Sequence, residues 1–140
     1  YNNLFYLGEI KRINDFENKK PLGFTEIKGK KINDFIYDDT ALAYKTSEGI
    51  IILTGCSHSG ICNIIEQAKG ICNDNRIIYV LGGLHLRNPE KEVMDKTCDY
   101  IKKQDISKVG ICHCTDLLSA VELSKVSKIE EIHVGSNFEF

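Results

Sequence analysis

The stretch GIIILTGCSHSGICNII, residues 49 to 65, runs from unbroken apolar sequence through a short polar turn into apolar residues at helical spacing. The run 50–53 is short and rich in β-branched side chains, so it reads as a buried strand. Ile61, Ile64, Ile65 and Ala68 recur with the period of one helix face, which predicts a helix over 59–69. Strand, turn and helix in that order open a βα unit, and the turn between them holds Cys56 and His58.

Working outward, ALAYKT (41–46) faces the apolar run across SEG (47–49), a β-hairpin pattern with Gly49 in the turn. RIIYVLGG (76–83) reads as a second buried strand. In NPEKEVMDKTCDYIKKQ (88–104), Val93, Met94, Cys98 and Ile101 form one apolar stripe, with Asn88 as the expected cap and Pro89 in the first turn. KVGIC (108–112) is a further short strand, TDLLSAVELSKV (115–126) a helix expected to be capped by Thr115, and IEEIHV (129–134) a last strand. Alternating strands and helices over 41–140 predict α/β layers, whereas 1–40 reads as irregular structure with short strands. KRINDF (11–16) and KKINDF (30–35) are nearly the same hexamer, but their flanks differ, so they read as a chance recurrence or as paired edge segments.

The 140 residues suffice for one ordinary domain with a core, and 42% hydrophobic with 27% charged residues is a globular composition. A net charge of -2 argues against a general nucleic-acid or anionic-membrane surface. No apolar stretch has bilayer length and no basic-then-apolar leader opens the chain, so a cytoplasmic protein without a membrane partner is expected. The chain opens on Tyr1 and its single methionine is Met94, from which upstream sequence is expected. Six cysteines lie mostly in or beside apolar segments, as in a protein of a reducing compartment. Cys62, Cys72 and Cys98 fit core stripes.

Chemistry gathers where strands hand over to helices. Cys56 and His58 follow the first predicted parallel strand, Gly83 and His85 the second, and Cys112, His113 and Cys114 the third. Parallel neighbours would bring these turns to one sheet edge, the usual place for a ligand site in an open α/β sheet. Imidazole and thiolate suit zinc and similar first-row ions. Amides at the following helix N-termini would favour an anionic group such as phosphate. A single histidine at a strand end is more often a hydrogen-bonded structural residue, but three at equivalent ends favour a site. Cys56, Cys112 and Cys114 are individually as well explained by packing as by ligation, and C-x-C is a poor spacing for a zinc knuckle. His133, alternating with Ile132 and Val134, reads as solvent-facing. Ser57, Gly83 and Thr115, on the same turns, are the candidate substrate contacts.

GEIKRINDFE (8–17), DDTALAYKTSEGIIILTGCSHSGICNII (38–65), VLGGLHL (80–86) and CHCTD (112–116) resemble the C-terminal half of metallo-β-lactamase-fold hydrolases. The branch they resemble includes dihydropterin ribofuranosylaminobenzene 5′-phosphate synthase and many bacterial metal-dependent hydrolases. The resemblance implies an αββα sandwich, of which this chain supplies one mixed sheet with flanking helices, and a site for one or two ions of zinc, manganese or iron. It places His58 and His113 as metal ligands, Cys56 where relatives carry a bridging aspartate, and His85 as the catalytic residue at the substrate. The family's H-x-H-x-D-H motif lies in the other half and is absent here, so the chain is expected to be inactive alone. It is expected to need the missing N-terminal half or a self-association partner, and to act on a phosphorylated small-molecule ester. Where the family has glycine after HCT, this sequence has Asp116. The competing reading is a non-catalytic metal or thiol-redox module built on Cys56, Cys112 and Cys114.

Overall fold

The computed structural model describes residues 2–139. The apolar runs pair into a six-stranded mixed sheet of order β1-β4-β5-β6-β7-β8. Its strands are β1 (Leu4–Tyr6), β4 (Ala41–Lys45), β5 (Ile50–Thr54), β6 (Ile77–Gly82), β7 (Lys108–Ile111) and β8 (Lys128–Glu131). The β1-β4 and β4-β5 pairs are antiparallel, and β5 through β8 run parallel. Helices α1 (Ile61–Cys72), α2 (Lys91–Lys103) and α3 (Leu117–Ser124) join the parallel strands. A separate antiparallel hairpin, β2 (Gly23–Ile27) with β3 (Lys30–Asp34), turns at Lys28 and Gly29, both at positive φ as a tight two-residue hairpin turn requires.

Alternation along the strands separates two faces. Ala41, Ala43, Ile50, Ile52, Val80, Val109 and Ile111 point to one side, where they pack with Ile61, Ile64, Ile65, Ala68, Met94, Ile101 and Leu123 of the helices. Cys62 and Cys72 are buried in this core and Cys98 packs against it, as their stripes predict. The other face carries Ile51, Tyr79 and Leu81, which form a small cluster with Ile132 and Phe138.

Several boundaries differ from the sequence reading, each for a local reason. Helix α1 starts at Ile61 behind Gly60, with no side-chain cap of its own, and runs on to Cys72, where Asn73 ends it in a left-handed conformation. Asn88 does not cap α2: it sits at φ 50° with its N–H on Asp116 Oδ2 (2.6 Å), and Glu90 is the N-cap, leaving Pro89 outside the helix. Asp116, not Thr115, caps α3 by accepting from the Ser119 N–H. Strand β8 ends at Glu131, so His133 lies beyond it, exposed as expected. Of the two similar hexamers, 30–34 is β3 and pairs only with β2, while 11–16 joins no strand; the recurrence is one of sequence alone.

Helix α1 receives its cap from far upstream. Glu17, only 8% exposed, accepts from the Cys62 N–H through Oε1 and the Asn63 N–H through Oε2, both at 2.9 Å. A carboxylate on first-turn amides satisfies orphan donors and complements the helix dipole. Its approach requires Gly60, at φ 98°, since a β-carbon there would stand 2.2 Å from Glu17 Oε2. Asn14 donates to the same carboxylate, and Asn63 Oδ1 accepts from the Ile13 and Asn14 N–H groups, locking 13–17 onto the helix start. Burial pushes the Glu17 carboxyl above its ordinary range, against the lowering effect of these N–H bonds. Glu17→Ala leaves two buried amides without a partner and is expected to lower stability by about 2 kcal/mol. In urea unfolding this appears as an earlier midpoint at an unchanged slope.

Candidate functional site

Because β5, β6 and β7 are parallel, their C-terminal turns meet at one sheet edge and bond to one another. The Gly83 N–H donates to Gly55 O at 3.0 Å and the Cys112 N–H to Gly82 O at 3.3 Å. Ser57, almost fully buried, donates its hydroxyl to Gly83 O at 2.7 Å. That uses its one proton, so the 2.9 Å contact with Thr54 Oγ1 is a bond donated by threonine. Thr115 Oγ1 accepts the Leu84 N–H at 3.0 Å, and Leu86 and Thr115 form an isolated parallel bridge. Ser57 and Thr115 therefore spend hydrogen-bonding capacity holding turns together.

Close backbone approach decides the glycines. A β-carbon on Gly82, at φ 135°, would lie 2.1 Å from Thr54 O, and one on Gly83 would lie 2.6 Å from Cys114 Sγ. Each turn also holds at least one non-glycine residue in the left-handed region: Ser57 at φ 55° after β5, His85 at 54° and Asn88 at 50° after β6, and His113 at 52° after β7. Such residues cost roughly 1 kcal/mol or more each and persist where their surroundings over-determine them.

Two of the sequence-predicted histidines come together. The rings of His58 and His85 meet edge to face, centroids 5.0 Å apart and planes at 89°. Burial, then the neighbouring His58, holds the His85 imidazole below the ordinary 6.5, against a weaker opposing effect of Asp39. His113 is exposed, and its carbonyl accepts from Arg87 Nη2 at 3.1 Å. Cys56, Cys112 and Cys114 are half-buried. Among the described residues no three His, Cys, Asp or Glu side chains are grouped so as to hold a metal ion. His58, His113 and Cys56 are thus not gathered into a three-ligand set by this chain alone.

A cleft of about 250 Å³ opens beside the histidine pair. One wall is the 16–22 segment with Phe16, Lys19 and Leu22; the other is Leu86, Arg87 and the approach to α2. Lys19 pairs with Glu92 at 3.4 Å and Lys20 with Glu90, tying the walls together across the cleft.

Asp39 and Asn18 carry no role in the sequence reading, yet both shape the site. Asp39 Oδ2 accepts the Ser59 N–H at 2.8 Å and its hydroxyl at 2.5 Å, and Asn18 donates to His58 O at 2.7 Å. Together they hold the peptide unit that follows His58 by both its carbonyl and its N–H. The signal for Asp39 lies in the hairpin: antiparallel pairing sets Ala41 opposite Thr54, so the residues before β4 arrive at the edge that the residues after β5 leave. Asp116, the departure from the family pattern, is occupied as the α3 cap and as acceptor of the Asn88 N–H.

Over its whole length the chain superposes on Tm1679, a metal-dependent hydrolase of the β-lactamase superfamily, with a TM-score of 0.87 and 30% sequence identity. The chain has the metallo-β-lactamase fold. It is also 32% identical, across 98% of its residues, to 7,8-dihydropterin-6-methyl-4-(β-D-ribofuranosyl)-aminobenzene-5′-phosphate synthase of Methanocaldococcus jannaschii. To an uncharacterized protein of the same organism it is 36% identical over 76% of its residues. No protein-family model matches. This metallo-β-lactamase-fold chain spans 48% and 39% of those two relatives and 54% of the Tm1679 chain. Among the described residues no helix is long and apolar enough to cross a membrane.

His85 is expected to titrate below 6.5 by NMR, and His58→Gln to move it back upward by removing the neighbouring positive charge. A depressed histidine value makes its contribution to stability full above 6.5 and progressively lost as pH falls below it. Thermal unfolding at pH 7 and pH 5 checks that sign, with less of the acid loss expected in the His58→Gln protein.

Proposed function

We propose that this chain supplies one side of the active-site cleft of a metal-dependent hydrolase, with the remaining metal ligands lying outside these 140 residues. The carrying observation is the His58–His85 pair at the C-terminal edge of three parallel strands, facing the cleft. A catalytic zinc takes three protein ligands and keeps one open position. The donors here are of the right chemistry and too few, so the described residues do not fit a catalytic ion unaided. When bound, a divalent ion supplies a water acidic enough to act as hydroxide near neutral pH.

The chain's own residues have distinct parts in this reading. His58, its backbone held by Asn18 and its successor Ser59 by Asp39, is the ligand this half contributes. His85 presents a neutral imidazole to the substrate, offering one ring N–H to a leaving oxygen. Cys56 and His113 would be further ligands in a site completed by the other half. Arg87 on the cleft wall suits an anionic, phosphorylated small molecule, whereas Lys19 and Lys20 are held by Glu92 and Glu90. Ser57 lines the cleft, and Gly83 and Thr115 hold together the turns behind it.

The second face of the sheet supports the same reading. Leu4, Tyr6, Leu42, Tyr44 and Leu53 project from β1, β4 and β5 in aligned pairs and remain 38% to 68% exposed. An apolar surface of this kind is normally covered, and a second sheet packed there would carry the missing ligands to the same edge.

With zinc or manganese, the purified 140-residue chain is expected to hydrolyse bis(p-nitrophenyl) phosphate no faster than buffer containing the ion. A longer chain supplying the other ligands should reach rates of about 1 s⁻¹ or more, and His58→Gln within it should lose at least about 100-fold. Turnover by the short chain at the rate of the longer one would refute the proposal.

A further inference from the structure

Behind the histidine pair, two cysteines from different turns lie against each other. Cys114 Sγ donates to the carbonyl oxygen of Cys56 at 3.4 Å, although the residues are 58 positions apart. Burial, then the neighbouring Cys114, pushes the Cys56 thiol above its ordinary range. Between them passes Gly83, and a β-carbon there would lie 2.6 Å from Cys114 Sγ and 3.5 Å from Cys56 Cα. The missing side chain keeps the lane between the turns open. Both cysteines are half-buried, within reach of a small reagent, whereas Cys62 and Cys72 are enclosed in the core. Cys112 is also half-buried, its thiol pushed up by burial and then by the charge of Cys56, and no hydrogen bond between the two is found among the described residues.

We infer that Cys56 and Cys114 are an oxidation site that closes to a disulfide, stapling the turn after β5 to the turn after β7 when the protein meets a hydroperoxide. The peroxide oxidises one thiol to a sulfenic acid as its O–O bond breaks and water or an alcohol leaves. The second sulfur attacks the sulfenic sulfur, the S–O bond breaks, a second water leaves and the S–S bond forms. The thiol pair gives up two electrons and two protons, and the peroxide takes both.

Closure has two structural consequences. It removes the Cys56 sulfur from the site edge, and it redraws the sulfur that accepts the His85 N–H at 3.3 Å. Oxidation thereby reports on the residue beside the cleft without touching its ring. The inference rests on the thiol positions and stands apart from the hydrolase reading.

The test is hydrogen peroxide in small molar excess on the chelator-treated protein, followed by tandem mass mapping. Loss of two hydrogens with a bond fragmenting to Cys56–Cys114 is expected, together with a shift of the His85 amide resonance and a Tm higher by about 5 °C. Cys56→Ser and Cys114→Ser should each abolish the link, and Cys112→Ser should leave it. A bond to Cys112, separate sulfinic acids at 56 and 114, loss of the link in Cys112→Ser, or thiols that survive peroxide able to oxidise a free dithiol would each overturn the inference. Mapping of the unaltered protein decides the matter even if a serine variant fails to fold.

Discussion

The site depends on a carboxylate that reaches α1 from outside the βα units. Glu17 supplies the cap that α1 lacks locally, and the segment around it then determines where the turn before the helix lies. Arg12 extends the same tie by donating to Phe35 O, Ile36 O and Asn18 Oδ1, so the chain on either side of the β2–β3 hairpin is fastened to one point. Each bond is ordinary in strength, about 1 kcal/mol net and somewhat more where the carboxylate is charged. Their effect comes from convergence, since they hold one short segment from several directions.

Around that point the three site turns behave as one body. Parallel pairing brings them into register, the glycines allow backbone to touch backbone, and the Ser57 and Thr115 hydroxyls fill the remaining donor and acceptor positions. Every turn also holds a residue in the left-handed region, a conformation that a non-glycine residue keeps only where its surroundings fix it. The arrangement is therefore stiff before any ligand arrives, as suits a site that must present donors at fixed spacing.

Much of this was legible in the sequence. The hairpin, the parallel strands, the helix faces and the clustering of His58, His85 and the C-x-C turn follow from periodicity and from where βα units place their turns. Helix starts were not legible, because the real caps are unlike local patterns: α1 takes its cap from Glu17, and Asn88 and Thr115 are engaged elsewhere in the turns, leaving the Asp116 carboxylate to cap α3. Asp39 and Asn18 were hidden for the same reason. Their bonds cross 20 and 40 positions, and nothing in a single sequence marks which of many polar loop residues folds back onto a given turn. The sequence grouped Cys56 with Cys112 and Cys114, but only the fold sets Cys114, rather than Cys112, against the backbone of Cys56.

The segment 16–22 is both a wall of the cleft and the bearer of the α1 cap. Swinging that wall aside to enlarge the cleft would uncover the first amides of α1 and free the turn at His58 in the same movement. Access and integrity are thus mechanically joined: widening the cleft at this wall takes the cap from the helix behind the site.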